Sequence, residues 1–192
     1  KLVQMNLPRY YQVEPSLIQV LTPMQRGPAG AINLNLSLQE ALNPPEQDMF
    51  LRGRGKVRMP KACLRRSGFA FRAADKEVFN GDIGIIESVN ETDRNLTVNF
   101  DSRIVEYDVT ELDELVHAYA TTIHKAQGSE YPIVVMPVMM NHYVMLQRNL
   151  LYTGITRAKK VLVIVGMKKA LSYAVRNVTA TNRNTMLRER LE

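Results

Sequence analysis

Between Val78 and Tyr107 the apolar residues change rhythm, and that change limits the folds open to this chain more than any other feature. Ile83-Gly84-Ile85-Ile86, Leu96-Thr97-Val98-Asn99-Phe100 and Ile104-Val105-Glu106-Tyr107 are short alternating runs, with Asn80-Gly81-Asp82 and Asn90-Glu91-Thr92-Asp93 as turns. Closely spaced strands with no helix between them predict a small antiparallel barrel or meander. The flanks read differently. Leu17 to Leu21 is a compact apolar run ended by Thr22-Pro23, followed by a turn cluster, Gln25 to Gly30, and by Leu34, Leu38, Ala41 and Leu42 at helical spacing. After about Leu115 the same unit returns: strand Ile133–Val138, helix Leu146–Thr156, strand Val161–Val165, helix Lys168–Val175. Strand, loop and helix in alternation predict an α/β domain built on a parallel sheet. An all-β module over 51–114 therefore interrupts an α/β domain made of 1–50 and 115–192. The charged tail, 176–192, carries Met186, Leu187 and Leu191 as a weak helical stripe.

Charge is concentrated next to the interruption. Residues 51–76 hold nine Lys or Arg against one acid, Asp75, in a chain of net charge +6. Such a block suits phosphate-backbone binding, and equally a solvated basic loop. The single Cys63 excludes an internal disulfide framework and a cysteine-based zinc site. No apolar run approaches the roughly 20 residues that span a bilayer, which sets membrane proteins aside. The chain starts at Lys1 with no signal segment, as expected of a piece of a larger cytoplasmic protein.

Two polar blocks carry the candidate chemistry. Ala-Thr-Thr-Ile-His-Lys-Ala-Gln-Gly-Ser-Glu-Tyr (120–131) stands before a buried strand, as a phosphate-handling loop would. In it Thr122, His124 and Lys125 can donate hydrogen bonds to phosphate oxygens, Gly128 permits close backbone approach, and Glu130 can accept from a ribose hydroxyl. Leu-Leu-Tyr-Thr-Gly-Ile-Thr-Arg-Ala-Lys-Lys (150–160) places Arg157 among small residues at a helix end. That position suits an arginine finger, and equally a surface arginine paired with a local carboxylate. Arg26 lies in the Gly/Pro-rich turn after a strand, where ligand-binding residues of α/β sheets collect. His117, His142 and the methionines at 136, 139, 140 and 145 read as structural.

A nucleoside triphosphatase also needs a Gly-rich phosphate cradle, and this chain has none. Gly55-Lys56 is followed by Val57, and Phe50 stands where the first glycine belongs. No strand ends in an Asp-Glu pair for Mg²⁺, and no metal ligand set is assigned. The chain alone is expected not to hydrolyse ATP.

At these residues the sequence resembles superfamily 1 DNA helicases of the RecD/TraA type, relatives of the exodeoxyribonuclease V alpha subunit. Four stretches carry the resemblance: Ile18 to Gly30, Val78 to Gly84, Tyr119 to Tyr131 and Asn149 to Lys159. The first, third and fourth are similar to helicase motifs IV, V and VI. The resemblance implies a second RecA-like lobe of P-loop NTPase type, interrupted by a barrel of the Src-homology-3 type. It further implies that Arg26 and Arg157 face the γ-phosphate of ATP, held with Mg²⁺ mainly by an N-terminal RecA-like lobe. Thr122, His124 and Lys125 would touch single-stranded DNA, with Gln127, Gly128 and Glu130 toward the nucleotide. Nuclease–helicase subunits or a single-strand-binding protein are the further partners, and repair and recombination the setting. One departure is visible: the Gly-Asp-Lys-Val-Met-Gln-like strand that opens the family's barrel has no match between Gly53 and Ala74. The rival reading is a non-catalytic nucleic-acid or protein-binding module that works through the barrel and the basic block.

Overall fold

The structure, a computed structural model, describes residues 1–43, 49–52, 55–58, 63–66, 82–90, 95–100, 103–108, 110–111 and 115–178, with the side chains of 49–52, 55–58, 63–66 and 89 left aside. The tail stripe, the turn at 80–81 and much of the basic block lie outside the described residues.

Four strands form a parallel sheet in the order β11-β10-β1-β9: β1 (Ile18–Thr22), β9 (Ala120–Thr122), β10 (Tyr131–Val138) and β11 (Ala158–Gly166). Strands covered on both faces need apolar residues throughout rather than in alternation. Accordingly all of β1 is buried, and so is β10 from Ile133 onward. On one face Leu21, Val134, Met136 and Val138 pack with Leu150 and Leu151 of α3 (Arg148–Ile155) and with Ala170 and Ala174 of α4 (Lys168–Arg176). On the other, Ile18, Val20, Ile133 and Val135 pack with Val3, with Leu7 of α1 (Leu7–Tyr11) and with Leu34, Leu38 and Leu42 of α2 (Ala31–Leu42). Helices therefore flank the sheet on both sides, as the apolar pattern requires.

The strand β9 is one element that the apolar pattern does not show. Three residues are too few to display a period, and here the pairing is completed by a side chain. Ala120 N–H donates to Asn35 Oδ1, and Asn35 Nδ2 donates to Ala120 O, both at 2.8 Å. The amide of α2 thus occupies the backbone groups that an edge strand would leave open.

In sequence between β1 and β9 comes an antiparallel sheet, in the order β7-β6-β5-β4-β8: β4 (Cys63–Arg66), β5 (Ile83–Asn90), β6 (Asn95–Phe100), β7 (Arg103–Asp108) and β8 (Leu115–His117). Its inner face holds Ile86, Leu96, Val98, Phe100, Val105, Tyr107 and Leu115. A Cβ on Gly84 would stand 2.5 Å from Val98 Cγ1 and 2.8 Å from Phe100, so the core closes over that glycine. The three runs read as strands are strands. Of the barrel or meander expected, the described residues show a five-stranded antiparallel sheet with β7 and β8 as its edges. The unmatched tract is divided: among the described residues β3 (Gly55–Arg58) pairs with β2 (Met49–Arg52) alone, whereas β4 lies between β5 and β8.

Candidate functional site

The 120–131 block begins in the sheet and leaves it as a tight helical turn. Ile123 N–H donates to Thr22 O (3.0 Å), and Ala126 N–H donates to Thr122 O (3.1 Å). Thr122 is buried, and its hydroxyl oxygen accepts from Lys125 N–H at 3.3 Å, the role of a helix N-cap. Gly128, at φ +88°, ends the turn in the left-handed region that a side chain would disfavour. The turn has two faces. Ile123 and Ala126 are bolted into the core beneath α3, whereas His124, Lys125, Gln127 and Gly128 are exposed.

This segment joins β9 to β10, which lie on either side of β1, so it crosses the sheet from the C-terminal to the N-terminal strand edge. Thr122 is level with Thr22, and Ile133 is level with Ile18. At about 3.3 Å per residue Thr122 and Ile133 stand roughly 13 Å apart along the strands. The block's Thr122–Lys125 end belongs to the edge that carries the Arg26 turn, and its Ser129–Glu130 end to the edge that carries Arg157.

At the N-terminal edge α3 delivers the second block. Its C-terminal turn passes so close to the sheet that a Cβ on Gly154 would lie 2.7 Å from Met136 Sδ and 3.3 Å from Ile123 Cδ1. Its start is held by Asn177, whose O accepts from Arg148 N–H (3.0 Å) and whose Nδ2 donates to Leu146 O (2.8 Å). Arg157 follows the helix. Its guanidinium donates from Nε to Thr153 O (3.3 Å), from Nη1 to Ser129 O (3.1 Å) and from Nη2 to Thr156 Oγ1 (3.1 Å). Tyr131 N–H donates back to Arg157 O at 2.8 Å. Among the described residues the three acceptors of Arg157 are two backbone carbonyls and a hydroxyl, not the carboxylate of the surface-arginine alternative. Glu130 pairs with Lys159 at 3.4 Å, with both side chains more than half exposed, a geometry worth little in water. Ser129, Thr153, Thr156 and Lys159 were not marked by the sequence patterns. The three-residue spacing of the two threonines at a helix end was the available hint.

Arg26 is exposed in a turn folded tightly on itself. A Cβ on Gly30 would fall 2.5 Å from the Arg26 carbonyl, and Thr22 Oγ1 donates to Ala29 O at 2.6 Å. Ala31 N–H donates to Met24 O (3.0 Å) and Ile32 N–H to Gln25 O (3.1 Å), so these first amides of α2 are already occupied. They are therefore not available as a phosphate cradle. Arg26 and Arg157, expected to face one phosphate, stand at opposite strand edges here. β1 and β11 run parallel, but Arg26 follows one strand whereas Arg157 precedes the other.

Comparison with known proteins agrees with this architecture. Residues 117–165 match the family described as the UvrD-like helicase C-terminal domain. The ATP-dependent RecD2 DNA helicase of Deinococcus radiodurans is 37% identical over 180 residues, covering 92% of this chain and 24% of that protein. The RecBCD enzyme subunit RecD of Haemophilus influenzae is 31% identical over 174 residues, covering 86% of this chain and 24% of that one. This chain is a homologue of the RecD helicases.

It spans about a quarter of the length of these relatives. Among solved structures, a Pif1 helicase from Bacteroides in complex with ADP-AlF3 and ssDNA shares the fold. The TM-score is 0.56 at 15% identity, over 88% of this RecD homologue and 49% of the Pif1 chain. Among the described residues of the RecD homologue, no group of three or more His, Cys, Asp or Glu could hold a metal, and no helix is long and apolar enough to cross a membrane. His142 is buried, and that burial holds its pKa below the ordinary imidazole value. Among the described residues its ring nitrogens have no hydrogen-bond partner.

Proposed function

We propose that this RecD homologue is the second motor lobe of an ATP-dependent DNA helicase, with Arg157 as its arginine finger. The observation that carries the reading is the hydrogen bond from Arg157 to Ser129 O. It joins the one guanidinium suited to a phosphoryl group to the segment whose other end suits a DNA strand.

A guanidinium carries five N–H donors, of which three are engaged here and two remain for anionic oxygens. ATP, bound with Mg²⁺ mainly by an N-terminal RecA-like lobe, would supply the phosphoryl group whose charge those donors offset. Glu130 belongs to the same edge, and Gln127 and Gly128 lead to it from the exposed face of the turn, so that in this reading all three meet the nucleotide. His124 and Lys125 project from the exposed face of the turn to meet single-stranded DNA, with Thr122 holding that turn from within. Arg26 belongs with this second group by position. Closure of two lobes would move both ends of one crossing segment together and so convert hydrolysis into stepping along the strand and unwinding. In the same proposal the lobe comprises 1–50 and about 118–192, the boundary expected at 115 moving past β8 because that strand pairs with β4, and the β-module between them is of the Src-homology-3 type. Assembly with nuclease–helicase subunits follows the name of the Haemophilus relative.

The test is Arg157→Ala in the intact helicase, with the nucleotide-binding lobe present. DNA-stimulated ATPase is expected to fall about 10³-fold or more while single-strand binding survives. Wild-type turnover would sink the proposal.

A further inference from the structure

The donors of Arg157 are useful only if the guanidinium is aimed, and the end of α3 is built to aim it. A helix leaves its last carbonyls without N–H partners. Thr153 O would ordinarily accept from the Arg157 backbone N–H, but that N–H donates to Gly154 O instead, at 3.3 Å. The vacated carbonyl is filled twice. Thr156 Oγ1 donates to it at 2.9 Å and Arg157 Nε donates to it at 3.3 Å. The Thr156 hydroxyl proton is thereby committed to Thr153 O, which turns the oxygen's lone pairs to the guanidinium, and Nη2 donates into them at 3.1 Å.

We propose that Thr156 is a positioning residue for Arg157: its hydroxyl, oriented by Thr153 O, fixes the side edge of the guanidinium so that the remaining donors face the nucleotide cleft. The inference rests on the reading of Arg157 as the finger and adds to it the residue that holds it. The arrangement is a closed ring of three hydrogen bonds through Nε, Thr153 O, Thr156 Oγ1 and Nη2. A ring of this kind removes rotation about the last side-chain bonds before any ligand arrives. The hydroxyl of Thr153 does not compete, because it donates back to Asn149 O at 2.9 Å. The negative end of the helix dipole lies at the same place and favours a cation there. Ser129 O, the third acceptor, belongs to a different segment and can move with it, whereas Thr153 and Thr156 travel with Arg157.

Thr156→Val keeps the branched shape and removes both the donor and the acceptor, and Thr156→Ser keeps both. Each is made in the intact helicase, beside Arg157→Ala. For Thr156→Val, kcat for DNA-stimulated ATP hydrolysis is expected to fall about 10- to 100-fold, the scale of a misplaced catalytic group. KM for ATP, single-strand affinity and thermal midpoint should stay at wild-type values, and Thr156→Ser should restore kcat. The proposal alone is overturned if Arg157→Ala is inactive while Thr156→Val turns over normally, or if Thr156→Ser fails to rescue. A loss that comes with a lowered thermal midpoint or weakened DNA binding would assign Thr156 a structural role and also overturns it. Normal turnover by Arg157→Ala would remove the finger reading and this inference together.

Discussion

Gly154 is a glycine by lack of room rather than by backbone conformation, and replacing it with alanine tests how tightly α3 is docked. The new Cβ would stand 2.7 Å from Met136 Sδ and 3.3 Å from Ile123 Cδ1, and neither side chain has solvent to retreat into, being 0% and 1% exposed. Two terms oppose. Alanine in place of glycine favours a helix by roughly 0.5–1 kcal/mol. Overpacking a closed core costs about 1–3 kcal/mol. The clash is the larger, so Gly154→Ala should destabilise the lobe by about 1 kcal/mol, part of the strain being taken up by the flexible thioether. The sign should reverse once the sulfur is gone. In a Met136→Val background the Cβ enters space that the variant has opened, and Gly154→Ala should then stabilise by about 0.5–1 kcal/mol. Urea denaturation of the four proteins gives the cycle, read from midpoints at unchanged slope. A Gly154→Ala that stabilises with Met136 in place, or that acts equally in both backgrounds, would refute the argument. Because Ile123 opens the crossing segment and Arg157 follows the helix, the same clash should also weaken the Arg157–Ser129 bond.

Two further outcomes follow from the site and its surroundings. Lys125→Ala should weaken single-stranded DNA binding alike for all sequences and reduce the slope of log K against log salt by about 0.7, one phosphate contact on a single strand. An unchanged slope would place Lys125 off the strand. His142 should make the lobe acid-sensitive, because burial holds its pKa below the ordinary imidazole value of about 6.5. The unfolded chain then takes up the proton first, so stability present above that value is lost as pH falls through it toward the lower folded pKa. His142→Leu should flatten the dependence of the unfolding midpoint on pH in that window. An equally steep curve would assign the effect to other groups.

The readable parts of this chain are those in which a local pattern reports a local structure. Ile18 to Thr22 and Ile133 to Val138 are apolar without interruption because both faces of their strands are covered. The alternation at 83–107 announced a sheet with one inner face. Its strand β4, in a basic tract with no apolar period, was not legible, because the pairing partners at 83–85 and 115–117 supply what its own residues do not show. β9 escaped for a related reason, since its edge is satisfied by Asn35, 85 residues away. The candidate residues were found by chemical type, which does not reveal their grouping. Thr122 was expected on the DNA side and is a buried cap, and the acceptors of Arg157 were not expected at all.

Much of the local order thus came from the amino acids alone: the uninterrupted and the alternating strands, the helices that follow them, and that a β-module divides the parallel-sheet lobe. Apolar period and turn chemistry act over a few residues and need no partner to be read. Sheet order and register are different, because they depend on which distant segments bury one another. They carry the 120–131 block across β1, set Arg26 at one strand edge and Arg157 at the other, and close the Arg157–Ser129 bond across 28 residues of chain. No local pattern encodes that crossing, and it is the crossing that sets the two ends of one segment at opposite strand edges.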